Sequence, residues 1–324
     1  MRCEGVDTEE SEGNRRMNKN PGAKQFWRLC GPILLYWLIE FVGKVIAELF
    51  VMAPHLGEIM KNTLAAGAST QDELMDLTMQ GAEKLMEIVL KYQVEILAVG
   101  ALCTIPLTVF LFHADRKRER TLQIPLNKKA GIFKYAEIIG IGIAVCIGLN
   151  CLIFMTNLAF SSSSYQQTSE VFYSAGVPVQ IICLGIIIPV AEELMFRGVL
   201  YKRYREQGGF MKSALYSTLL FSIIHGNMVQ FLYTFALGLL LCYVYEKFGS
   251  FKAPVVLHIV VNLVSLILTN TGAFTWFVGS AVRMGLVTVA CAFAGSVIFV
   301  LIQRIDEKPE TAVPEQEPDT SDML

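Results

Sequence analysis

Apolar runs of membrane-crossing length alternate with short polar stretches along nearly the whole chain. A bilayer core is crossed by about 20 apolar residues in a helix. Eight segments approach that length: residues 28–53, 92–113, 135–160, 179–201, 211–228, 229–246, 252–270 and 282–303. The fifth and sixth are separated only by the Gly226-Asn227 region. Residues 71–91 follow another pattern. There Leu74, Leu77, Met79, Leu85 and Met86 are interleaved with Asp and Glu, which predicts an amphipathic surface helix leading into the second segment. The expected fold class is all-α, a polytopic membrane helical bundle with about eight transmembrane helices.

The same pattern divides the chain into four parts. Residues 1–24 are polar and predict a disordered cytoplasmic N-terminus. They lack the apolar core and small-residue cleavage site of a signal peptide. Met17 opens Met17-Asn18-Lys19-Asn20, a second candidate start. Residues 25–134 hold the N-terminal spans, the amphipathic helix and a basic loop, and residues 135–303 form a helical core. Residues 304–324, acidic and carrying Pro309, Pro314 and Pro318, predict a disordered tail.

Basic residues set the expected orientation. Arg15, Arg16, Lys19, Lys24 and Arg28 precede the first span, and Arg116, Lys117, Arg118, Arg120, Lys128, Lys129 and Lys134 follow the second. Lys202, Arg203, Arg205 and Lys212 follow the fourth, Lys247 and Lys252 the sixth, and Arg304 and Lys308 the eighth. The alternate loops are poor in Lys and Arg. This predicts an integral membrane protein with both termini cytoplasmic. The lack of a eukaryotic targeting signal adds the expectation of a bacterial plasma membrane.

Composition narrows the function classes. Of 324 residues, 53% are hydrophobic and only 17% charged, with mean hydropathy +0.48, which suits several spans rather than one soluble core. Net charge is -2 and the basic residues sit at loop edges, so a nucleic-acid partner is excluded. Cys30, Cys103, Cys146, Cys151, Cys183, Cys242 and Cys291 lie in apolar runs without a CxxC pair, and are expected to be small apolar fillers.

Against that apolar background a few polar residues stand out. Glu192 and Glu193 interrupt Ile186-Ile187-Ile188-Pro189-Val190-Ala191, where an ionised carboxylate facing lipid would cost roughly 3 kcal/mol. They are expected to face a protein interior or a wet cavity. Arg197 lies four residues after Glu193 on the same helix face and can pair with it, leaving Glu192 the freer carboxylate. Such a group is suited to general acid–base work. Pro189 clashes with the carbonyl of Gly185, which predicts a local break in the helix. His225 closes Phe221-Ser222-Ile223-Ile224-His225, and His258 and Asn262 share a face four residues apart, so they can offer donors to a developing oxyanion. Each group alone also fits a packing or clamping role. Together they supply a base, a partner for water and oxyanion donors, which is what a hydrolase needs. In the first span Glu40, Lys44 and Glu48 share one face, either as a self-neutralising stripe or as the border of a polar cavity.

Glu192-Glu193-x-x-x-Arg197-Gly198, Phe221-x-x-x-His225 and His258-x-x-x-Asn262 resemble, in order and spacing, the three motifs of the CPBP family, the CAAX protease and bacteriocin-processing (ABI) membrane proteins. The resemblance covers residues 179–270 and makes 135–303 a CPBP-like catalytic core. It implies an intramembrane endopeptidase acting on a membrane-associated peptide or protein within the lipid bilayer. By the resemblance, Glu192 and His225 would hold and activate water, His258 and Asn262 would stabilise the oxyanion, and Glu193 and Arg197 would brace the site. The family is also described as metalloproteases. No HExxH is present, yet Glu192, His225 and His258 could form a three-ligand site for zinc or another divalent metal. A glutamate-activated water and a metal-bound water both remain open. Two other functions stay in play: a non-catalytic immunity or regulatory scaffold, and a small transporter. The chain shows no internal repeat of the kind many transporters carry.

Overall fold

The computed structural model describes residues 21–306, apart from 66, 68, 69 and 126. Among these residues the chain is helical and has no strand. The expected disorder of 1–20 and of 307–324 lies outside the described residues. Pro21–Lys24, in the stretch expected to lack structure, already belong to the first helix.

α1 (Pro21–Ala65) runs 45 residues and contains the first predicted span. α2 (Gln71–Lys91) is the amphipathic helix, and its start is fixed by a reciprocal cap. Thr70 Oγ1 accepts from the Glu73 amide at 3.2 Å, while the Glu73 side chain accepts from the Thr70 amide at 3.2 Å. Gly81 lets α2 approach α1 closely, because a Cβ there would stand 2.9 Å from Ile59.

α3 (Gln93–Thr121) continues well past the predicted end at 113, so part of the basic loop is helical. After a 3₁₀ turn at Ile132–Lys134, α4 (Tyr135–Met155) follows. It stops five residues short of the predicted end. Asn157 adopts a left-handed φ of 61° there and starts the short α5 (Leu158–Ser161). α6 (Ser163–Ser174) then leads into α7 (Val177–Arg205). α8 (Phe210–Ile223), α9 (Met228–Phe248), α10 (Lys252–Asn270), α11 (Ala273–Val278) and α12 (Ala281–Gln303) complete the bundle.

Among the described residues, six helices are long and apolar enough to cross a membrane: α3, α4 with its preceding 3₁₀ turn, α7, α9, α10 and α12. Two of the eight expected spans, those on α1 and α8, are not among them. α8 has only 14 residues, about 21 Å at 1.5 Å per residue, against a hydrocarbon core of about 30 Å. α1 is long but carries Glu40, Lys44 and Glu48 in its middle. The protein is an all-α polytopic membrane bundle. Its outer faces are apolar in the manner of a lipid-facing surface, with Phe41, Phe110, Val282, Leu286 and Phe293 all exposed.

The core forms where these helices turn inward. Ile138 and Ile141 of α4 pack with Leu237 and Leu241 of α9 and with Leu257 and Val261 of α10. A second cluster joins Ile33 and Tyr36 of α1 to Met195, Phe196, Val199 and Leu200 of α7 and Phe221 of α8. The basic helix ends meet at one end of the bundle. There Arg28 and Arg118 both reach Glu206 at 2.7 Å, and Arg203 forks onto Asp115 at 2.7 and 3.2 Å. Arg205 pairs with Glu246 at 3.1 Å. These ties fix the register of α1, α3, α7 and α9, and so the depth of the polar residues on α7.

Candidate active site

α7 is not a regular helix. It widens to π geometry at Cys183–Ile187 and again at Leu194–Tyr201, with an α-helical stretch, Ile188–Glu193, between them. The break expected at Pro189 takes the form of the first wide turn. Such turns recur at functional sites.

Both glutamates lie on the stretch between the two wide turns. Neighbouring helical residues point about 100° apart, and the two carboxylates enter different surroundings. Glu193 is fully buried. Its Oε1 accepts from Arg197 Nη1 at 2.8 Å and meets His258 Nδ1 at 2.9 Å. Arg197, also fully buried, donates its Nη2 to the carbonyl of Gly238 at 3.2 Å, and its guanidinium lies 4.3 Å over the Phe221 ring. Gly238 makes this approach feasible. A Cβ there would stand 3.0 Å from Nη2 and 2.6 Å from Thr218 Cγ2.

Glu192 sits apart from the arginine, with Oε2 3.7 Å from His258 Nε2. The hydrogen bonds fix the histidine tautomers. Glu193, held as an ion by Arg197, only accepts, so His258 Nδ1 carries a hydrogen and Nε2 is the atom turned to Glu192. His225 lies in the turn after α8, beyond the end of the helix that was expected to contain it. Its Nδ1 is 2.9 Å from the Phe221 carbonyl, which only accepts, so Nε2 is left with a lone pair. Phe221 stands nearly perpendicular to both imidazoles, at centroid distances of 5.0 and 5.8 Å. One ring thus touches the two histidines and the arginine. Asn262 Nδ2 donates to the Leu184 carbonyl at 2.8 Å, so one of its amide hydrogens is committed.

Glu192, His225, His258 and Asn262 line one cavity of about 910 Å³. Glu193 and Arg197 stand behind it. The charged face of α1 reaches the same space: Glu40 and Lys44 line it and pair with each other at 2.7 Å. The α1 stripe is thus both self-neutralising and the border of the cavity, although Glu48 is not part of the lining. Sequence reasoning passed over Tyr36, Tyr173, Gln230, Tyr233, Thr234 and Ser265, which also line the cavity. Gln230 and Thr234 are spaced four apart in an apolar run, the signal already used for His258 and Asn262.

Among the described residues, no three His, Cys, Asp or Glu side chains are grouped to hold an ion.

Residues 174–264 match the family model of type II CAAX prenyl endopeptidase Rce1-like proteins. A Bacillus subtilis (strain 168) protein named "Putative membrane peptidase YdiL" is 28% identical over 86 residues, covering 26% of this chain and 35% of that protein. The "UPF0177 protein YxdF" of Lactococcus lactis subsp. lactis (strain IL1403) is 27% identical over 113 residues, covering 35% of this chain and 62% of that protein. The matched stretch thus spans about a third of one relative and three-fifths of the other. No solved structure matches the chain. This segment, which holds Glu192, Glu193, Arg197, His225 and His258 and ends just past Asn262, is where the chain is similar to the Rce1-like family and to these two relatives.

Proposed function

We propose that the protein is an intramembrane endopeptidase that hydrolyses a peptide bond of a membrane-associated peptide or protein. The observation that carries this is Glu192 standing 3.7 Å from His258 Nε2 in a cavity that His225 also lines, within the family-matched segment. A carboxylate and two imidazoles sharing one space can bind water, move its proton and support the charge that follows.

In the proposed reaction water is held between the Glu192 carboxylate and the lone pair of His225 Nε2. Glu192 takes a proton as the water oxygen bonds to the scissile carbonyl carbon. Negative charge moves to the carbonyl oxygen, where His258 Nε2–H and the uncommitted amide hydrogen of Asn262 serve as donors. The C–N bond then breaks, and the leaving nitrogen takes the proton from Glu192. His258 donates from Nε2 only as the imidazolium, because its Nδ1 hydrogen is already given to Glu193. In that state the four groups Glu192, Glu193, Arg197 and His258 sum to zero charge. Such balance lets them share a low-dielectric interior. Glu193 therefore acts through His258, and Arg197 through Glu193. No step passes through a metal.

We further assign the protein to a bacterial plasma membrane, with the basic end of the bundle and both termini on the cytoplasmic side. Excess Lys and Arg at that end supports this orientation.

The test uses purified protein in liposomes with a set of membrane-anchored peptides, read by mass spectrometry of newly formed termini. Wild-type protein should release fragments and Glu192→Ala should release none. Peptide binding without cleavage by the wild type would instead support the non-catalytic scaffold.

A further inference from the structure

We infer that Asn262 is a positioning residue for α7: its side chain supplies the hydrogen bond that Pro189 cannot make. In the wide turn before the glutamates, the Ile188 amide donates to Cys183, five residues back. In a regular α-helix that amide would go to Leu184. The next amide in line for the Leu184 carbonyl, by the five-residue pattern of the wide turn, belongs to residue 189. Residue 189 is proline and has no N–H. Leu184 thus loses its α partner to the wide turn and its π partner to the proline. A carbonyl without a donor in an apolar interior costs the full loss of its hydration. Asn262 Nδ2 of α10 fills this place at 2.8 Å.

The position of this bond gives it consequence. Leu184 is eight residues before Glu192 on α7, and Asn262 is four residues after His258 on α10. The bond therefore ties the two helices beside the 3.7 Å approach of Glu192 to His258. Gly185, next to Leu184, allows the contact, since a Cβ there would come within 2.6 Å of Leu263. Pro189, the wide turn, Gly185 and Asn262 form one device. The proline forces the turn that presents Glu192, and the asparagine closes the gap the proline leaves.

This rests on the proposed peptidase only for its kinetic arm. The test is a double-mutant cycle between Asn262→Ala and Pro189→Ala, with Pro189→Ser as a second way to restore an N–H. Thermal melting in detergent is the primary readout, and it stands whether or not the protein cuts peptides. With Pro189 present, Asn262→Ala should lower the melting temperature by about 2–4 °C or more. In either Pro189 variant an amide is available to Leu184, so the same change should cost less than half as much. Equal losses in both backgrounds would overturn the inference, as would failure of both Pro189 variants to fold, since each supplies the amide that Leu184 lacks. In the kinetic arm, Asn262→Ala should lower kcat while KM stays within about twofold, and Pro189→Ala should restore part of kcat. Because Asn262→Ala also removes an oxyanion donor, only part of kcat can return; no return at all beside a restored melting temperature would assign the whole loss to that donor and refute the positioning of the reacting groups while leaving the hydrogen-bond exchange. Absence of any cleavage by the wild type would count against the peptidase alone.

Discussion

His258 gives its Nδ1 hydrogen to Oε1 of Glu193 at 2.9 Å, so the second glutamate of the pair, not the first, sets the direction of the imidazole. The same oxygen accepts from Arg197. The arginine therefore holds the glutamate, the glutamate holds the histidine, and Nε2 is left turned toward Glu192.

Breaking this chain at its buried end should cost more than breaking it at the cavity. Glu193→Ala leaves the Arg197 charge unpaired at a fully buried position. Loss of one partner of a buried pair costs about 3–5 kcal/mol. Glu193→Ala should therefore melt well below wild type, while Glu192→Gln should melt close to it. Differential scanning of the two variants in one detergent checks this ordering.

Gly238→Ala should act at a distance from the cavity. The added methyl would stand 2.6 Å from Thr218 Cγ2 and 3.0 Å from Arg197 Nη2, so something must shift. Overpacking of this kind costs about 1–3 kcal/mol. Because the arginine holds Glu193, cleavage should fall as well. Thr218→Ser in the same chain removes the nearer of the two clashing groups and should recover part of the stability.

Acid should loosen the basic end of the bundle. Burial raises the carboxyl of Glu206, but hydrogen bonds and charge from Arg118 and Arg28 outweigh it, and its folded pKa lies below the ordinary value. A depressed pKa means stability that is present above the unfolded value and lost as pH falls through the folded one. Wild-type melting should thus decline as pH falls below the ordinary carboxylate value of about 4.5, more steeply than in Glu206→Gln. Parallel profiles for the two proteins would show that Glu206 does not contribute this dependence.

Much of the arrangement was legible in the sequence, and the reasons are local. Four-residue spacing placed Glu193 with Arg197, and the structure joins them. The alternation of basic loops foretold that Arg28, Arg118, Arg203 and Arg205 would gather at one end. What stayed hidden depends on tertiary context. Only His225-Gly226-Asn227 separates two apolar runs there, too short an interruption to show that α8 stops at Ile223 and sends His225 into a turn, where Gly226 takes a φ of +77°. The bond from His258 to Glu193 spans 65 positions in the sequence, and periodicity along one helix does not report it. Likewise Pro189 announced a break in α7, but not the asparagine on another helix that completes it.

The oxyanion donors should be dispensable in part. His258→Ala should leave measurable cleavage, because losing one donor costs about 10²–10³ in rate rather than all of it. Strong chelators should leave the wild-type rate unchanged if the water is activated by Glu192. Loss of activity in chelator, restored by added zinc, would show that a metal does the activating.

The most direct measurement compares membranes that contain wild-type protein with membranes that contain Glu192→Gln at the same level, by sequencing the peptide termini present in each. Glutamine keeps the shape of the side chain at the 3.7 Å approach to His258 but cannot take a proton from water. A set of new termini in membrane proteins should appear with the wild type and be absent with Glu192→Gln. The same termini at the same abundance in both would contradict the assignment of Glu192 as the base.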